Sequence, residues 1–140
     1  MRLITVKQAV DQASREIGIS QGPVTQAMGS ADQDIAQMVA LLQAVADEIL
    51  IDQPYVDTLG DGYWLIDPLT GVRKDRPSAD TDYILFDARL AIAGLKYRFL
   101  KAKGLEFGEE LRDYSDRMHR LAATNNAQVV DLNNDASPYQ

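Results

Sequence analysis

Between residues 53 and 81 the chain carries Pro54, Gly60, Gly62, Pro68, Gly71 and Pro77, a density of helix breakers that forbids any long helix there. The flanking stretches have the opposite character. Both are strongly periodic, with apolar residues recurring at helical spacing. A chain built this way reads as helices on either side of a non-helical excursion.

Before the excursion, Thr5-Val6-Lys7-Gln8 has the chemistry of a capping box. Ala9, Val10, Ala13 and Ile17 follow at helical spacing, and Gly18 supplies a stop. Helix one is expected over about Val6 to Ile17. Residues 19 to 29 form a connector anchored by Ile19, Val24 and Met28. Ser30-Ala31-Asp32-Gln33 reads as a second capping box. Ile35, Met38, Val39, Leu42, Val45, Ile49 and Leu50 then make one long stripe. Helix two is expected from about Ala31 to Ile51, ending before Pro54.

Inside the excursion, Tyr63-Trp64-Leu65-Ile66 is aromatic and β-branched, as strands are. Asp67-Pro68-Leu69-Thr70-Gly71 suits a tight turn, and Val72-Arg73-Lys74 can return as a second strand. A short β-hairpin is therefore expected. A lone hairpin is marginal in water, so it must pack on helices or on another chain.

After it, residues 82 to 103 read as helix three. Tyr83, Ile84, Phe86, Leu90, Ala93, Tyr97 and Leu100 make one face, and Leu85, Ile92, Leu95 and Phe99 broaden it almost all round. A helix apolar on most sides is central and buried. Gly94 in its middle costs about 1 kcal/mol against alanine, so it is expected to serve a close helix contact. Helix four is expected from about Glu106 to Ala123. Its seam is Phe107, Leu111, Tyr114, Met118 and Leu121, suited to antiparallel packing on helix three. The expected core is led by Leu42, Ile49, Phe86, Leu90, Leu111 and Met118.

The fold class that follows is mainly α: a four-helix bundle-like domain over residues 1–124, with a short β-hairpin excursion at about 53–81 between helices two and three. Residues 125–140 are polar and are expected to form an extended C-terminal docking tail. Val129, Val130, Leu132 and Tyr139 are its isolated apolar teeth, too few to fold on themselves and suited to a groove on a partner.

Chemistry is sparse. The chain has no cysteine, so disulfides, thiolate nucleophiles and Cys-type zinc sites are excluded. His119 is the only histidine and sits between Arg117 and Arg120, a poor setting for a metal ligand. It is expected to be exposed near a helix C-terminus. Gly60-Asp61-Gly62 lacks the partners of a phosphate or calcium loop and reads as a turn. Glu106, Glu109, Glu110 and Asp113 read as a solvated helix face, and Asp80 and Asp82 as acids at a helix start. No catalytic, cofactor or metal residue is assigned, no cofactor is implied and no enzyme is expected. The formal charge of −7 argues against gripping nucleic acid. No secretory signal and no membrane span are expected. Arg73, Lys74 and Arg76 form the one basic cluster outside a helix, suited to an acidic partner patch. Trp64 fits either an interface anchor or a cap on the domain's own core.

Three segments together resemble the head–tail connector, or adaptor, proteins of tailed phages. The first runs from Gln8-Ala9-Val10 through Arg15-Glu16-Ile17-Gly18 to the Ser30-Ala31-Asp32-Gln33 helix start and Asp47-Glu48-Ile49-Leu50. The second is the β-rich excursion with Trp64. The third is the run from Asp87 to Leu100, then Lys103-Gly104-Leu105 and Tyr114. The resemblance implies a structural subunit of a homo-oligomeric, dodecameric ring in the virion, made in the host cytoplasm. The ring would bind the portal protein above and a tail nozzle or tail completion protein below. Genomic DNA would pass through its lumen without specific binding. A non-viral helical interaction or regulatory module is the alternative. A DNA-binding regulator using helices one and two is disfavoured by the charge.

Overall fold

A computed structural model describes residues 3–19, 23–52 and 62–135, and the side chains within them except those of 51–52 and 122–135. The chain is mainly helical, with a small antiparallel sheet between its second and third helices. The elements in order are α1 (Val6–Glu16), α2 (Gln33–Asp52), β1 (Leu65–Ile66), β2 (Arg73–Lys74), β3 (Tyr83–Ile84), α3 (Ala88–Ala102) and α4 (Gly108–Asp135).

The start of α1 is the capping box that its sequence encodes. The Gln8 N–H donates to Thr5 Oγ1 at 3.2 Å, and the Thr5 N–H donates to Gln8 Oε1 at 2.9 Å. The start of α2 differs from expectation. Asp32, not Ser30, is the cap: its Oδ1 accepts from the Asp34 N–H at 2.9 Å, while Ser30 Oγ accepts from the Asp32 N–H at 3.2 Å. A carboxylate two residues nearer the helix outcompetes the hydroxyl for the positive end of the dipole.

The start of α3 is the larger correction. Helix three does not begin at Asp82. Tyr83 and Ile84 form a third strand, and α3 begins at Ala88, capped by Asp87, whose carboxylate accepts from the Leu90 N–H at 3.1 Å. The excursion is therefore a three-stranded sheet of order β2-β1-β3 rather than a lone hairpin. Ile66 lies opposite Arg73 on one side and Tyr83 on the other; Leu65 lies opposite Lys74 and Ile84. Leu65 and Ile84 are fully buried, so that face is the core face. The N-terminal segment extends the sheet. The Ile84 N–H donates to the Ile4 carbonyl at 2.9 Å, and Thr5 bridges Tyr83. The marginal hairpin is thereby given a third strand, a fourth short edge and a helical floor.

Helix α3 is central, as its all-round apolar pattern requires. It packs on α1, α2 and α4, and nine of its residues are buried, among them Leu90, Leu95 and Phe99. From α2 it meets Met38, Leu42, Val45 and Ile49, and from α4 Tyr114 and Met118, all buried. The close contact expected at Gly94 is present. A Cβ there would stand 2.8 Å from Val45 Cγ1 and 3.0 Å from Tyr114 Cε1, so the glycine lets three helices meet. Leu42, Ile49, Phe86, Leu90 and Met118 are buried as expected. Leu111 is not; it is 38% exposed, one turn before the seam closes on α3 at Tyr114.

Helix α4 continues to Asp135 instead of ending near Ala123. The backbone of residues 125–135 is helical rather than extended. The side chains of Val129, Val130 and Leu132, and all of Tyr139, lie outside the described residues.

Candidate interaction surface

Two kinds of polar organisation position the surface. The first is a set of carboxylates that hold loops. Asp82 is fully buried and accepts from Lys74 Nζ at 2.8 Å, the Ser78 N–H at 3.0 Å and the Ala79 N–H at 3.1 Å. Burial pushes its carboxyl up, but the Lys74 ammonium and the two N–H groups outweigh that and hold it below the ordinary value. Asp80 accepts from the Met28 N–H at 2.6 Å and the Ala27 N–H at 3.1 Å, tying the α1–α2 connector to the excursion. Asp11 accepts from the Val24 N–H at 2.8 Å. Asp80 and Asp82 are therefore not helix-start acids; they are loop clasps.

The second is a polar node where α2, α3 and α4 meet. Glu48 pairs with Arg98 and accepts from the Tyr97 hydroxyl at 3.1 Å. The Tyr97 and Tyr114 rings stack obliquely with centroids 5.0 Å apart. Burial first, then the Glu48 carboxylate, push the Tyr114 phenol up, so it stays protonated. The Tyr114 hydroxyl is buried beside this pair without a hydrogen-bond partner of its own among the described residues, while the Glu48 and Arg98 side chains are each 26% exposed.

The predicted partner residues separate. Trp64 is fully buried; its Nε1–H donates to the Asp75 carbonyl at 2.7 Å and its ring lies 5.9 Å from that of Phe86. It caps the chain's own core and cannot anchor an interface. Lys74 is engaged with Asp82 and with Ser78 Oγ at 2.6 Å, so it leaves the basic cluster. Arg73 is exposed and donates to the Tyr63 carbonyl at 3.3 Å; Arg76 is exposed. His119 is exposed, but mid-helix rather than near a helix end, because α4 runs on. Among the described residues no group of His, Asp and Glu side chains could hold a metal ion, and no helix is long and apolar enough to cross a membrane.

The surface that the sequence reading passes over is the tip of the hairpin. Leu69 is 92% exposed and Val72 57% exposed. The tip is nonetheless built firmly. The Leu69 N–H donates to Asp67 Oδ1 at 2.9 Å, and the Gly71 N–H to the Asp67 carbonyl at 2.8 Å. The Asp67 N–H in turn donates to the Val72 carbonyl at 2.9 Å. Gly71 sits at φ +72°, where a side chain would be strained. An apolar residue between Pro68 and Gly71, where turns favour polar ones, was the available signal. At the other end of the sheet, Asp87, Leu90, Arg117, Arg120 and Leu121 line an open groove between α3 and α4.

No family model, curated protein or solved structure matches the chain.

Proposed function

We propose that the chain is a structural head–tail connector subunit of a tailed phage, one copy of a ring that joins the portal protein to the tail and surrounds the exiting DNA. The observation that carries this reading is the projecting hairpin: a helical body holds a firm β-turn whose apex, Leu69, is almost wholly exposed. Leu69 and Val72 together give that tip an apolar surface open to contact with another protein. The resemblance of the three segments supplies the identity of the partners. The charge of −7 suits a lumen through which DNA slides, since each added cation there would make a phosphate contact.

The test is assembly. Co-expressed with the portal protein encoded near it, the chain should co-purify as a ring on one end of the portal, visible by electron microscopy. The free protein should show no duplex binding at physiological salt. A chain that ignores the portal, or that binds duplex DNA at micromolar concentration with a steep salt dependence, overturns the reading.

A further inference from the structure

We draw no further inference here: the strongest candidate, the open groove between α3 and α4 lined by Asp87, Leu90, Arg117, Arg120 and Leu121, is an unpartnered face, and nothing in the structure shows what covers it.

Discussion

The helical layer and the sheet region are held together by different means. Around α3, side chains from α1, α2 and α4 exclude water, and the few polar groups gather at the Glu48–Arg98–Tyr97 node. Around the sheet, each strand has only two residues, and Trp64, Leu65, Ile84 and Phe86 join the core of the helical layer rather than building one of their own. There Asp80 and Asp82 add a second support, their carboxylates collecting backbone N–H groups from two loops, the α1–α2 connector and the β2–β3 loop. One region is stabilised chiefly by area and shape, the other by buried area together with satisfied charges. Area is forgiving of pH and sensitive to volume; buried carboxylates are the reverse.

This difference can be broken from each side. Leu90→Ala should have the largest effect, about 4 kcal/mol within the ~2–5 kcal/mol range for such truncations, because Leu90 is buried at the centre of the helical layer. A change under about half a kcal/mol in a reversible urea titration would mean the layer is not what holds the fold. Asp82→Ala should follow at about 3 kcal/mol, the low end for removing one partner of a buried pair, since the Lys74 side chain is 21% exposed and can rehydrate. Its signature should be local. Trp64, the only tryptophan, lies in the sheet region and should report loosening by fluorescence before far-UV circular dichroism changes. If both signals move together, the two regions are one cooperative unit.

The same division explains what could be read in advance. Helical periodicity is a local signal, so α1, α2 and the body of α3 and α4 are legible from Ile35 to Leu50 or from Leu90 to Leu100. Asp82 was not. Its partners, Lys74, Ser78 and Ala79, lie upstream in a stretch without periodicity, and its position before an apolar run imitates a helix start. Tyr83 and Ile84 fit a helical stripe as well as a strand; only the pairing with Leu65 and Ile66 and with the N-terminal segment decides between them. Trp64 stayed open because an aromatic residue just before a two-residue strand carries no sign of which way it faces. Leu69 was visible as an apolar residue in a polar turn, yet exposure is a property of the fold. The groove needs α3 and α4 side by side and has no linear signature at all.

A smaller test probes the helical layer's sensitivity to volume. Gly94→Ala gains up to about 1 kcal/mol of helix propensity but places a methyl 2.8 Å from Val45 Cγ1 and 3.0 Å from the Tyr114 ring. Overpacking costs about 1–3 kcal/mol, so a net loss of about 1 kcal/mol is expected. Pairing it with Val45→Ala should recover part of that loss in a double-mutant cycle. Simple additivity of the two losses would show that the close approach is not what retains the glycine.

The smallest effects are expected from pH, and they separate the sheet clasp from the surface tie between α1 and α3. Glu16 binds Lys96 Nζ at 2.8 Å with its side chain 30% exposed. Partial burial raises its carboxyl, but hydrogen bonds from Lys96 and Gln12 and the charges of Lys96 and Arg89 bring it below the ordinary value of 4.5. Asp82 likewise lies below its ordinary value of 3.8. Both folded values are depressed, so both contributions are fully present above the unfolded values and are lost as pH falls through the folded ones. Stability should therefore be flat down to about pH 5 and decline below it. The exposed Glu16 pair is screened by water and contributes only a few tenths of a kcal/mol, so E16Q should barely alter the decline. In D82N the carboxamide still accepts from Ser78 or Ala79 but no longer changes charge, so the decline should be shallower, first in Trp64 fluorescence. An acid limb of unchanged slope in D82N would place the titrating carboxylates elsewhere and remove the contrast between the two regions. A limb flattened by E16Q instead would move the pH-sensitive contact from the sheet to the α1–α3 tie.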